Sequence, residues 1–388
     1  MTAVSYGREV AVGSRQERRS LFSLLRRVDV ILVGSTLLLS LIGIVMVYTA
    51  TRATLVQQGL SPHYYLERQA IWVVVGLVVM VVVASIDYQR FRQWGYGVYG
   101  LVLLSLVGVF VIGRSQFGAE RWYQFGPLQL QPSEFAALGL IVAIATYCSR
   151  RQGVLAFREI VGLLAIAGVP MLLVYKQPDL GTAIVLGVTL AAMMLAADVR
   201  MRYLVLLFIM VVGVFLLALK LHLLHTYQLN RLTGFLHQNK DIRSTNYDLT
   251  MSRNAIAAGG LNGAGLGNGV ATNLSYVPNQ QNDFIFSAIG EQLGFIGSAI
   301  VIGLFGLVAL RMLRAAQMAR DYFGRLVCAG ALAFFAFSVF ENIGMTIGIT
   351  PITGIPLPFI SYGGSAIFAF FALIGLVLNV EMRRLPRR

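Results

Sequence analysis

Residues 30–50 read VILVGSTLLLSLIGIVMVYTA, twenty-one positions without a charge. At about 1.5 Å per residue, a helix of that length crosses a hydrocarbon layer of roughly 30 Å. Similar windows recur outward to the C-terminus and predict ten spans, near 30–50, 69–86, 95–113, 134–148, 160–175, 180–197, 203–219, 284–310, 327–347 and 362–380. The 388 residues are 57% hydrophobic and 12% charged. A soluble domain carries about a quarter charged residues. The composition therefore excludes a soluble enzyme, a secreted disulfide scaffold and a nucleic-acid-binding domain. The expected class is all-α and polytopic, and the net charge of +14 is read as a topology signal. Cys148 and Cys328 fall at expected membrane edges and suit neither a disulfide framework nor a zinc site.

Charge orients the chain. With the N-terminus inside, 21 of the 31 Lys and Arg residues lie on the inner side and 10 on the outer. That bias predicts that both termini are cytoplasmic. The first apolar run is a full span and not a signal peptide. Residues 1–28 form a separate basic segment, whose RQERRSLFSLLRR (15–27) suits either a helix lying on anionic membrane lipid or a plain basic tail. Residues 29–388 form the transmembrane domain.

Residues 220–283 interrupt the short loops, as a long extracytoplasmic segment between spans seven and eight. A connection of that length is usually folded or functional. Leu221, Leu224, Leu232, Phe235 and Leu236 recur at roughly helical spacing and predict an interfacial helix. A second helix is expected over Asn246–Ala258, stopped by Gly259-Gly260. The glycine-rich run to Gly269 allows tight turns, but GAGLGNG follows no strand and is no dinucleotide fingerprint.

Polar residues gather in four outer segments: GAERW (118–122) with QPSE (131–134), KQPDLGTA (176–183), NDFIF (282–286) with Glu291-Gln292, and Glu341-Asn342 with PITGIPLPFISYGGS (351–365). Polar groups at a membrane edge are costly and ask for a reason. Pro132-Ser133-Glu134 and Pro178-Asp179 also suit plain helix starts, and Asp283 an ordinary N-cap. Arg121 and Lys176 suit interfacial anchors, and Glu291 and Glu341 suit helix packing. Together the segments suggest a site for an anionic headgroup on a lipid, with cations for phosphate and a carboxylate as base. HExxH, GxSxG and P-loop motifs are absent from the sequence.

In this order the four segments resemble the SEDS family of bacterial cell-wall proteins, whose branches serve elongation (RodA), division (FtsW) and sporulation (SpoVE). The likeness runs from the first span to the C-terminus, and GMTIGITPITGIPLPF with KQPDLGTA looks most like the RodA branch. It implies a peptidoglycan glycosyltransferase that polymerises lipid II into β-1,4-linked glycan strands during cell elongation and rod-shape maintenance. The implied partners are a class B penicillin-binding protein (a transpeptidase) and the elongation machinery. The alternatives are a lipid II flippase and a division-type, FtsW-like polymerase. The family's catalytic aspartate falls on Asp283, and its substrate-cavity positions fall on Arg68, Arg121, Glu134 and Asp179. Lys176 is added on charge grounds. A divalent cation, Mg or Mn, is compatible with the chemistry, although no DxD-like cluster argues for one. This sequence departs from the family at Ala137, where a lysine is usual, and at Gln129 and Asn279, where charges are frequent.

Overall fold

The computed structural model describes residues 27–116, 119–125, 128–151, 155–221, 226–238 and 246–384. The basic segment 1–28 lies outside them except for its last two residues, and so do Leu224 and Gly118, the first residue of the first outer motif.

Thirteen helices account for most of the described chain: α1 (Val30–Gln57), α2 (Tyr64–Ser85), α3 (Tyr88–Ile112), α4 (Ser133–Ser149), α5 (Phe157–Lys176), α6 (Leu180–Ala196), α7 (Met201–Lys220), α8 (Thr226–Leu236), α9 (Tyr247–Gly259), α10 (Val270–Asn273), α11 (Ile285–Gln317), α12 (Tyr322–Ile347) and α13 (Gly364–Met382). Seven of them, α1, α2, α3, α5, α11, α12 and α13, are long and apolar enough to cross a membrane, while α4, α6 and residues 201–217 of α7 are shorter apolar helices. Each expected span falls on one of these ten. Aspartates set several starts by accepting main-chain N–H groups that a first turn leaves unpaired. Asp29 accepts from Ile31 and Leu32, Asp87 from Gln89, Asp179 from Thr182 and Asp321 from Gly324.

The all-α expectation needs one correction. Between α3 and α4, β1 (Arg114–Gln116), β2 (Ala119–Phe125) and β3 (Leu128–Leu130) form an antiparallel sheet in the order β1-β2-β3. Arg114 pairs with Trp122 and Tyr123 with Leu130. Trp122, Tyr123 and Phe125 favour an extended backbone, and the ladder satisfies main-chain groups that a bare loop would leave open.

The bundle is built around α12 and α13. Helix α13 packs on α2, α12 on α11 and α6, and α3 on α4. Helix α13 is buried over nearly its whole length, and its Phe370, Phe371, Leu373 and Ile374 are at most 1% exposed. Cys148 and Cys328 are free and buried.

The long segment is folded, as its length suggests. Helix α8 covers Leu232, Phe235 and Leu236 of the expected interfacial helix, with Leu221 capping α7 instead. Helix α9 stops where the glycines stand, with Gly260 at φ +53°. The glycine-rich loop then patches a break in α11. Gly294 adopts φ +65°, which frees carbonyls and amides of that helix. Ala264 and Gly265 donate to the Glu291 and Gln292 carbonyls at 2.9 and 3.0 Å. Phe295 and Ile296 donate back to Gly260 and Leu261 at 2.9 and 3.1 Å. Non-helical backbone at the edge of a membrane helix is tolerated where protein pairs it in this way.

Candidate active site

The long segment ends in a turn at Gln281–Phe284, just before α11. Three successive carbonyls of that turn each receive a donor. Tyr362 N donates to Gln281 at 2.9 Å, Ser361 Oγ to Asn282 at 2.6 Å, and Asn342 Nδ2 to Asp283 at 2.9 Å. The main chain at Asp283 is thus tied to α12 and to the loop between α12 and α13. No described residue donates a hydrogen bond to the Asp283 carboxylate. Its near wall is Gly354, at φ +77°, where an added Cβ would lie 3.3 Å from Oδ2. Burial pushes the Asp283 carboxyl up to about 6; Arg231 and Arg121 pull it down, and the Asp179 charge adds to the rise.

Asp179 is buried and caps α6 through Oδ1, which accepts from Thr182 N at 3.1 Å. Its Oδ2 accepts from Gln131 Nε2 and Ser133 Oγ, both at 3.3 Å, so the QPSE and KQPD segments meet on one carboxylate. Ser365 Oγ joins them to the start of α13, accepting from Gln131 N at 2.9 Å and donating to the Gln129 carbonyl at 3.0 Å. Glu134, in the first turn of α4, feels the charges of both Asp179 and Asp283. Arg121, on β2, donates from Nε to the Gln177 carbonyl at 2.6 Å and from Nη2 to the Pro178 carbonyl. It braces the turn that carries Asp179 while its charge acts on Asp283.

The structure therefore gathers Asp283, Asp179, Glu134 and Arg121. Arg68 stands one step away, stacked on Tyr64 at 4.2 Å and hydrogen-bonded to the Tyr362 hydroxyl, whose main-chain N–H holds residue 281. Lys176 is exposed at the last turn of α5 and makes no hydrogen bond or ion pair with a described residue. Ala137 is 1% exposed inside the bundle, with no room for the usual lysine unless its neighbours move. Arg231 has the place that charge counting gave to Lys176. It lies on α8, donates from Nη1 to the Ile352 carbonyl at 2.8 Å, and heads the charges that act on Asp283. No short-range signal marks it, because RLTGFL reads as an ordinary amphipathic turn. Glu291 is structural: it accepts from Ala271 N, Thr272 N and Thr272 Oγ1 at 2.7, 2.9 and 2.5 Å. Glu341 accepts from Thr353 Oγ1 at 3.0 Å.

The donor set does not fit a protein-held divalent cation. Among the described residues no three His, Cys, Asp or Glu side chains converge as metal ligands, and both Asp179 oxygens are already engaged.

A bundle of apolar helices with this part-buried, mixed-charge cluster at one end is a multi-pass membrane protein with a polar site at its rim. The chain belongs to the FtsW/RodA/SpoVE family of cell cycle proteins, which it matches over residues 29–385. A Trichlorobacter lovleyi protein named probable peptidoglycan glycosyltransferase FtsW is 36% identical over 358 residues, 91% of this chain and 93% of its own. Peptidoglycan glycosyltransferase MrdB of Escherichia coli K12 is 33% identical over 319 residues, covering 82% and 86%. A chain from a solved peptidoglycan synthase complex that coordinates polymerization and crosslinking superposes with a TM-score of 0.76 at 29% identity, covering 91% and 97%.

Proposed function

We propose that this chain is a peptidoglycan glycosyltransferase that polymerises lipid II, with Asp283 as its general base. The observation that carries this reading is a part-buried carboxylate, walled by Gly354, that accepts no hydrogen bond from a described residue, is raised to about 6 and is flanked by arginines. One lipid II offers a sugar 4-hydroxyl, and another carries an anomeric carbon bearing diphosphate. Asp283 accepts the hydroxyl proton as the oxygen attacks, and the α-linked donor yields a β-1,4 bond by inversion. Diphosphate leaves without a general acid. Arg231, Arg121 and Arg68 supply the cations nearest this chemistry and stabilise charge as it develops on the diphosphate. No step is routed through a metal.

The site lies on the extracytoplasmic side in this reading, with both termini cytoplasmic, all ten apolar helices crossing and residues 29–388 acting as one unit. The 21-to-10 division of basic residues supports that orientation. A class B penicillin-binding protein is the proposed partner, supported by the likeness to a chain from a complex that couples polymerization to crosslinking. Elongation is the proposed setting, on the KQPDLGTA and GMTIGITPITGIPLPF segments. A division role is the second reading, favoured by the 36% match to a protein named FtsW. Transport of lipid II finds less support: the inner-end carboxylates Asp29 and Glu381 are each paired with an arginine.

The test is purified protein in vesicles with lipid II, alone and with its transpeptidase, reading glycan strands for wild type and Asp283→Asn. Strands from wild type and none from a folded Asp283→Asn protein support the reading. Equal strands from both sink it.

A further inference from the structure

Asn342 lies in the C-terminal part of α12, five residues before its end, is fully buried, and spends both hydrogens of one amide nitrogen on main-chain carbonyls from two different segments. Nδ2 donates to the Asp283 carbonyl at 2.9 Å and to the Ile355 carbonyl at 2.8 Å. Its own Oδ1 is buried and accepts nothing from a described residue. An asparagine kept only for helix packing would be expected to satisfy both ends of its amide. Asn379, in α13 at the opposite end of the bundle, does so: Nδ2 donates to the Val83 and Ile86 carbonyls, and Oδ1 accepts from Tyr88 N at 3.0 Å.

The two segments that Asn342 joins make the two sides of the catalytic carboxylate. One is the turn that carries Asp283. The other holds Gly354, the near wall of Oδ2, one residue before Ile355. The remaining ties on the turn, Ser361 Oγ and Tyr362 N, come from that same loop, and Ser361 Oγ is itself held by Leu357 N at 2.8 Å. Without Asn342 the turn and loop would remain joined to each other but lose this anchor on α12. We infer that Asn342 is a positioning residue for the glycosyl transfer: its amide fixes the base and the wall beside it as one unit against a membrane helix. This rests on Asp283 being the base. The chemistry specifies the side chain, since aspartate would set an acceptor against two carbonyls and leucine would offer no donor.

The test uses the full-length protein in vesicles, with lipid II as substrate and rates normalised to folded protein by size exclusion and thermal melting. Asn342→Leu and Asn342→Ala are compared with Asn379→Leu, the matched buried asparagine away from the site. Groups facing Asp283 that shape its pH response are Arg231 on α8, Asp179 at the start of α6, Arg121 on β2 and Glu134 on α4. All are unchanged in these variants. For the Asn342 variants, turnover per folded molecule is expected to fall at least about tenfold with the KM for lipid II within about twofold. A loosened turn lets the carboxylate reach water, so the acid limb of the rate profile should move to lower pH by about half a unit or more. Asn379→Leu should lose folded protein and leave both readouts in place. Three results overturn the inference: turnover within twofold and an unmoved limb for folded Asn342 variants, equal losses per folded molecule from Asn379→Leu, or no folded protein from either Asn342 variant. An active Asp283→Asn protein would instead remove the base itself. An inactive one beside unaffected Asn342 variants removes only the positioning role.

Discussion

The two ends of the bundle both bury carboxylates, yet they use them differently. At the end away from the site, Arg311 holds Asp29 Oδ2 through Nε and Nη2, both at 2.5 Å, and Arg384 holds Glu381 Oε1 at 2.9 Å. These groups ring a cavity of about 280 Å³ and tie α1, α11 and α13 together. At the site end, Arg121 and Arg231 spend hydrogen bonds on main-chain carbonyls, and Asp283 keeps its carboxylate unbonded. A carboxylate joined directly to an arginine is held in place by that bond. One whose cations are fixed to neighbouring backbone remains able to take up a proton. The difference fits the proposed role of Asp283 as a base, with the paired carboxylates at the other end joining helices.

The contrast breaks first, and hardest, at Asp283. Asp283→Asn should lower glycan polymerisation by roughly two to four orders of magnitude with lipid II retention intact, as read by strand formation and co-purified lipid on one preparation. At the opposite end, Arg311→Met should act on stability instead. Leaving Asp29 buried without its partner costs on the order of 3–5 kcal/mol, seen as early thermal unfolding, while turnover per folded molecule stays near wild type. Failure of this separation would mean that these ion pairs take part in the reaction cycle.

Arg231→Ala should reduce turnover about tenfold and sharpen the electrostatic side of the comparison. Activity needs the ionised aspartate, so the wild-type rate should drop as pH falls through about 6. Removing the cation that opposes burial shifts that limb to higher pH, readable in a pH–rate profile. An unmoved limb would show that Arg231 serves only Ile352.

A smaller effect is on stability. The folded Asp283 carboxyl titrates near 6, above the ordinary value near 3.8. A raised carboxylate contributes stability below the unfolded value and loses it as pH rises through the folded one. Asp283→Asn should therefore stabilise the protein increasingly from about pH 4 to about pH 6, by at most roughly 3 kcal/mol at neutrality. Melting temperatures at pH 4.5 and 7.5 test the sign. Lys176→Ala should change turnover by less than about twofold, since that side chain is exposed and unbonded.

Much of this was legible in the residues. Ten apolar runs, aspartates at helix starts and the glycine stop after residue 259 act over a few positions, and the described helices begin and end close to where they place them. The cluster of Asp283, Asp179, Glu134 and Arg121 was marked by costly polar residues in segments that resemble a family. The β1–β3 sheet was hidden because its strands are of three to seven residues, and Arg231 because its meaning lies in Ile352 and Asp283, far along the chain.

Helices α7 and α13 mark the boundary between the two kinds of information. Both are predominantly apolar, yet α13 is almost wholly buried and α7 has no buried residue among those described. Sequence determined that each belongs in a membrane, because the transfer of a side chain out of water depends on the side chain alone. It did not determine which faces lipid and which faces protein, since lipid tails are as apolar as leucine and drive no such choice. The tertiary structure decided that, through packing. By the same packing it decided which carboxylates meet an arginine head-on and which one, Asp283, is walled in without a bond, because pairing of charges depends on distances between segments up to hundreds of residues apart.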